Sequence, residues 1–237
     1  MHTLETIQFY ATSTYDCSYL SGQQARSLVA APSHLITTHH YSLLINQGFR
    51  RSGTFVYRPH CDQCQACTPI RVNAQRFSPS RSQRRTFKKF QHLSTQRKPL
   101  VWSDEHYALY RSYQAARHSG SDMDNDDKAQ YMDFLLSSHV SSYLIEFREG
   151  KTLKMVALVD EVQQGLSAVY TFFDPAVSGL GTYGILWQLN YCQEQRLAWL
   201  YLGYWIEQNP KMAYKTRYSP YELFIDNHWA TQRPTTS

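Results

Sequence analysis

Hydrophobic and polar positions along the chain change rhythm near its middle. From His34 to Phe49 the sequence HLITTHHYSLLINQGF sets Leu35, Tyr41, Leu43, Leu44 and Phe49 near helical spacing, follows Pro32-Ser33 and ends at a glycine. That predicts a helix. GTFVYRP then alternates as a strand would until Pro59, and TPIRVNAQRF predicts a second strand after a cysteine-bearing turn. Ser80 to Gln91 fits a helix entered at Ser78-Pro79, and Ser103 is placed to cap DEHYALYRSYQAAR, whose Asp104 and Glu105 suit the positive end of the helix dipole.

Beyond the polar connection HSGSDMDNDDKAQ come three strand-like runs, SSYLIEFREG, KTLKMVALVDEV and GLSAVYTFFDP, broken by Arg148-Glu149-Gly150 and Gln163-Gln164-Gly165. Such spacing predicts a β-meander. GLGTYGILWQLNYCQEQRL then reads as a loop opening a helix with Ile185, Leu189 and Cys192 on one stripe. AWLYLGYW reads as a further strand, and a short last helix is expected from Pro210. The pattern is α+β. The polar connection separates two halves, and the expected division is into a smaller α+β N-terminal region, residues 1–100, with the Cys-rich turn and basic block, and a region 101–237 built on a mixed sheet.

Composition adds two points. No apolar run approaches the roughly 20 residues of a membrane span. The start, MHTLETIQFY, lacks the basic and apolar regions of a secretory signal, so the cytoplasm is the expected location. The net charge of +5 is modest, but Arg76, Arg81, Arg84, Arg85, Lys88, Lys89, Arg97 and Lys98 fall in one block without an acidic residue. With Phe77, Phe87 and Phe90 between them, they form either a footprint for nucleic acid or a solvated basic helix.

Five features bear on the candidate chemistry. Cys61, Cys64 and Cys67 repeat every third residue in RPHCDQCQACTPIR, with Cys17 far upstream. No second tight pair completes a zinc ribbon, so a four-thiolate zinc or iron–sulfur site with Cys17 competes with reduced thiols in a structural turn. Asp122, Asp124 and Asp126 imitate the start of a calcium loop, yet Asp127 stands where glycine belongs and Asp133 where glutamate belongs, which excludes that reading. Gly179, Gly181 and Gly184 spell G-x-G-x-x-G too late in the chain for a dinucleotide fold. They leave a glycine-rich turn whose N–H groups can face an anion or carbonyl oxygen, or which serves helix-to-sheet packing. Asp174, at a strand end before Pro175, is suited to orient or deprotonate an amine, or to start a turn. Lys211, Lys215 and Arg217 follow LGYW with Tyr204 and Tyr214 nearby, as an anion site or as surface charge.

CSYL at 17–20, YRPHCDQCQACTPIRV at 57–72, FFDP at 172–175, GLGTYGILWQ at 179–188 and YLGYWI…KMAYKTRYSPYEL at 201–223 occur in one order across nearly the whole chain. Together these words resemble the bacterial aspartate/glutamate leucyltransferases, relatives of the arginyl-tRNA–protein transferases of the N-degron pathway. The resemblance implies a GNAT-like catalytic region joined to the N-terminal region and transfer of leucine from leucyl-tRNA to proteins beginning with Asp or Glu. It implies aminoacyl-tRNA as co-substrate with no coenzyme A or other cofactor required. On that reading Asp174 and Tyr204 are the candidate catalytic residues. Arg58, Arg71, Gly181, Thr182, Tyr183, Gly184, Lys211 and Lys215 are candidates for substrate binding, and Arg76, Arg81, Arg84, Arg85, Lys88 and Lys89 for tRNA. The eukaryotic arginyl branch has a second cysteine where this chain has Leu20, which weighs against a cluster bound as in that branch. Two rival readings are an acetyl-coenzyme A-dependent GNAT enzyme, which leaves the basic block unused, and a zinc-dependent RNA-binding module, which leaves the second half unused.

Overall fold

The computed structural model describes residues 6–117 and 128–231, so Asp122, Asp124, Asp126 and Asp127 lie outside the described residues. The N-terminal part holds β1 (Gln8–Ala11), β2 (Tyr15–Asp16), β3 (Gln24–Ala25), β4 (Ser27–Ala31), α1 (Thr38–Asn46), β5 (Arg50–Ser52), β6 (Phe55–Pro59), β7 (Thr68–Asn73) and α2 (Arg81–Phe90). Next come β8 (Ser94–Lys98), α3 (Asp104–Arg117), a short α4 (Lys128–Tyr131), β9 (Ser142–Glu149), β10 (Thr152–Val162) and β11 (Gly165–Phe173). The chain continues through α5 (Leu180–Glu194), β12 (Trp199–Trp205), a 3-10 turn at Ala213–Arg217, β13 (Tyr221–Ile225) and β14 (His228–Ala230).

Eight strands form one sheet in the order β14-β13-β7-β12-β11-β10-β9-β8, and β1-β4-β6-β5 form a second. The large sheet therefore takes strands from both sides of residue 100. The expected meander is present as β9, β10 and β11, paired antiparallel in sequence. Alternation along these strands supplies two cores. Ile145, Phe147, Met155 and Ala157 pack beneath α5, while Leu144, Val156, Leu158 and Phe172 face α3 and its tyrosines. Both faces are covered, which is why β10 is buried almost throughout.

The expected helices form with small shifts. Pro32 precedes a 3-10 turn at Ser33–Leu35, and α1 starts only at Thr38, capped by Thr37. Ser80, not the preceding Ser-Pro, caps α2, through a reciprocal capping box with Gln83. The Ser103 Oγ accepts from the His106 amide at 3.4 Å, as its position predicts. Arg148 ties α3 to β9 by donating to both carboxylate oxygens of Glu105 at 3.0 and 2.6 Å. The last stretch departs from expectation, because the helix sought from Pro210 is only a 3-10 turn and YEL belongs to β13.

Candidate active-site groove

β11 and β12 are the one parallel pair in the large sheet, and they share three rungs: Gly165 with Trp199, Leu166 with Leu200, and Ser167 with Tyr201. Beyond Ser167 the strands part. β12 bulges between Tyr201 and Tyr204, where Gly203 takes a left-handed φ of 73°. Arg50 on β5 stands in the gap. Its Nη2 donates to the Val169 carbonyl at 3.1 Å, a group that a neighbouring strand would otherwise engage. Its guanidinium carbon lies 5.9 Å from the Tyr204 ring centroid, and a Cβ on Gly203 would sit 2.9 Å from Nη1.

Tyrosines line this region. Tyr19, Tyr41, Tyr57 and Tyr204 all lie in electrostatic range of Arg50. The Tyr204 hydroxyl points its proton at the carbonyls of Gly48 (3.1 Å) and Tyr57 (3.2 Å), joining β12 to the N-terminal sheet. Burial, with the Tyr57 phenol, holds that proton on well above the ordinary phenol range, so Tyr204 can donate but supplies no base at neutral pH. Tyr214 is 40% exposed, yet its phenol is pushed up by its surroundings, as expected for a ring on the wall of a concavity. Tyr218 bonds Thr182, and burial pushes it up to about 12.

Lys215, from the 3-10 turn, is 7% exposed and donates its Nζ to the Tyr204 carbonyl. Burial and the nearby Arg50 charge pull it down to about 7, against partial compensation from Cys67. Among the described residues neither Arg50 nor Lys215 has a carboxylate partner.

The other candidates sort by their contacts. Arg71 is fully engaged: Nε and Nη2 reach Glu222 Oε2 at 2.8 and 2.6 Å, and the guanidinium lies between Trp199 and Trp229, 3.7 and 4.2 Å from their ring centroids. Arg58 lies over Phe49 and donates to the Gln47 carbonyl, on the rim of a cavity that Tyr57 and Tyr204 also line, while Lys211 is exposed. The Asp174 Oδ1 accepts from the Ala176 amide at 3.1 Å in a turn, and Oδ2 accepts from Lys154 at 3.3 Å.

The glycine run brings α5 close to its neighbours. A Cβ on Gly179, Gly181 or Gly184 would approach Phe90, Phe173 or Met155 to 3.2, 3.0 or 3.1 Å, which accounts for all three glycines by packing. Tyr183 belongs to the core, ringed by Phe87, Phe90 and Phe147. What packing leaves over is the helix start itself. Gly179 is the N-cap, with φ of 101° and no capping side chain, so the first-turn N–H groups have no intrahelical acceptor. Beside it runs α2, with Arg81, Arg84, Arg85, Lys88 and Lys89 all exposed, as is Arg76 in the turn before the helix, and Lys89 donating to the Ser178 carbonyl at 3.3 Å.

Cys17, Cys61, Cys64 and Cys67 line one cavity of about 950 Å³, which Tyr204 and Phe224 also wall. Burial, reinforced by the other three thiols, pushes Cys67 up to about 12. The Cys17 sulfur accepts from the Leu20 amide at 3.4 Å, and Cys61 Sγ points at the Arg26 carbonyl at 3.8 Å. Among the described residues no three His, Cys, Asp or Glu side chains are placed to share an ion. Among them, too, no helix is long and apolar enough to cross a membrane.

A meander whose last strand parts from a parallel neighbour under an uncapped helix start is a GNAT-type acyltransferase arrangement. L-PGS from Bacillus licheniformis has a similar fold, with a TM-score of 0.50 at 10% identity over 73% of this chain and 62% of that one. Residues 15–85 match the model for arginine-tRNA-protein transferase, N terminus, and residues 105–225 that for the C terminus. An aspartate/glutamate leucyltransferase of Thiobacillus denitrificans is 54% identical over 227 residues, 95% of each chain. One of Methylobacillus flagellatus is 53% identical over 228 residues, 95% of this chain and 92% of its own. The chain belongs to the arginine-tRNA-protein transferase family, and is an aminoacyl-tRNA–protein transferase.

Sequence reasoning missed Arg50. Its one signal was the adjacent pair Arg50-Arg51 in a short strand, where alternation sends one guanidinium inward to Asp160 and the other to the groove.

Proposed function

We propose that this chain transfers leucine from leucyl-tRNA to the α-amine of proteins beginning with Asp or Glu, in the cytosol, marking them for N-degron proteolysis. The observation that carries the reading is the groove where β11 and β12 part, set beneath the free N–H groups of α5 and beside the basic face of α2. A tRNA ester is already activated, so positioning and stabilisation of the oxyanion are the main tasks. The acceptor amine forms a C–N bond to the leucyl carbonyl. The oxygen that becomes negative is met by the N–H groups of Gly181 and Thr182, and the C–O bond to the terminal ribose then breaks. The amine's proton leaves towards Asp174 and is returned to the ribose oxygen. The exposed cations of α2 hold the tRNA phosphates, and Tyr204 keeps β12 in place against β6.

The test is transfer itself. Purified protein is given leucyl-tRNA or arginyl-tRNA with peptides beginning with Asp, Glu, Lys or Ala, and products are weighed by mass spectrometry. Leucine on the Asp and Glu peptides alone is the expected result. No transfer by folded, reduced protein sinks the reading.

A further inference from the structure

We infer that Arg50 and Lys215, the two cations set against Tyr204 where β11 and β12 part, bind the side-chain carboxylate of the acceptor's N-terminal residue. The inference rests on the proposed transfer to Asp and Glu, and it assigns the specificity of that reaction to particular side chains.

Both groups converge on one residue. Arg50 lies against the Tyr204 ring and the Gly203 backbone, and Lys215 Nζ bonds the Tyr204 carbonyl. Buried cations in folded proteins are normally paired, because an uncompensated charge out of water is costly. Arg51, one residue on, obeys that rule through Asp160, and Arg71 does so through Glu222. Arg50 and Lys215 find only backbone carbonyls and phenols among the described residues. The lowered titration of Lys215, set first by its burial and then by the Arg50 charge, agrees with an ammonium that lacks a counter-charge. A ligand carboxylate would supply the missing charge, and a guanidinium fork matches its geometry.

Access and specificity are consistent with this. Arg50 keeps part of its surface exposed. The site lies at the parting, where the reacting amine must come, so a carboxylate one or two methylenes beyond the α-carbon reaches it. A guanidinium beside a buried ammonium also explains how Asn and Gln are refused. A neutral amide would leave the cations unpaired, and a site built for a polar partner rejects its neutral analogue strongly. The phosphates of tRNA already have the exposed cations of α2, so a second, sheltered pair is not needed for them.

The experiment compares peptides beginning with Asp, Glu, Asn and Gln at saturating leucyl-tRNA, with wild type, Arg50→Gln, Arg50→Lys and Lys215→Met. Lys215→Met removes a desolvated charge and keeps the length of the side chain, so it is expected to fold even if Arg50→Gln does not. Expected is a fall of about 100-fold or more in kcat/KM for Asp and Glu peptides, with Asn and Gln peptides unchanged within about threefold. Arg50→Lys should retain part of the discrimination. Equal losses for acidic and neutral acceptors, with a raised KM for leucyl-tRNA, would overturn the inference and give the pair to tRNA. Undiminished discrimination in Lys215→Met together with either Arg50 variant would overturn it as well. Titration calorimetry with an Asp-initial peptide and no tRNA separates the two levels. If wild type transfers no leucine yet binds that peptide tightly, and Lys215→Met does not, the carboxylate site stands while the proposed function falls.

Discussion

Arg51 meets Asp160 through two parallel hydrogen bonds, Nη2 to Oδ1 at 2.6 Å and Nε to Oδ2 at 3.0 Å, with 1% and 0% of the side chains exposed. The same guanidinium donates to the Gly53 and Ser137 carbonyls, and Ser142 Oγ bonds Asp160. One satisfied polar cluster thus anchors β5, on which Arg50 stands, to β10 of the large sheet. Removing one partner strands the other charge out of water. Asp160→Ala should cost about 3–5 kcal/mol of stability, read from urea unfolding at constant slope. It should also lower transfer, because β5 loses its anchor.

Lys215 titrates at about 7 in the folded protein against 10.5 ordinarily. Between those values the unfolded chain holds a proton that the folded chain has released, so this group makes stability rise as pH climbs from about 7 towards 10. Below that window it is charged in both states and its contribution is constant. Urea midpoints of wild type and Lys215→Met should therefore converge as pH rises, with the variant the more stable at pH 6. Binding an acidic N-terminus at pH 8 should take up protons, detectable as a buffer-dependent heat.

Asp174 is accommodated by a turn and by Lys154, and neither contact requires a charge on both carboxylate oxygens. Asp174→Asn preserves the turn acceptor, so its melting temperature should stay within a few degrees of wild type. If the carboxylate takes the acceptor's proton, kcat should fall by about tenfold or more, with KM for leucyl-tRNA unmoved. A variant as fast as wild type removes Asp174 from the chemistry and leaves it a turn residue.

The α2 cations should act on tRNA affinity and its dependence on salt. Arg81, Arg85 and Lys88 are exposed and none is in an ion pair among the described residues. Replacing all three by Gln should reduce the slope of log affinity against log salt by about 2–3, measured by filter binding of leucyl-tRNA. The fold should be unaffected, because Phe87 and Phe90 hold the helix to α5.

Much of the second half could be read from its residues. The meander is punctuated by glycine turns, and α2 carries its capping box in plain sequence, because both signals are local. β8 was missed because STQRK is an exposed edge strand without apolar alternation, and β2 and β3 are two-residue strands with no pattern to find. YEL closes the stretch expected to begin a helix at Pro210, although its role is set by pairing with β7 far upstream. The groove was legible only in part for the same reason. Its glycine turn and Lys215 are visible as words, whereas Arg50 acquires its place from a parting between two strands more distant in sequence.

The position of β7 carries a consequence for how the protein is made. This strand, from the early part of the chain, lies between β12 and β13, both contributed by its end. While the ribosome is still translating, β7 has neither neighbour, and its apolar face has nothing to close over it. The nascent polypeptide must therefore wait until its final segment has emerged before the large sheet can zip shut. A transcript cut short before β12 would yield a product with a sticky, half-built sheet, so the cell gains a partial enzyme from no truncated message.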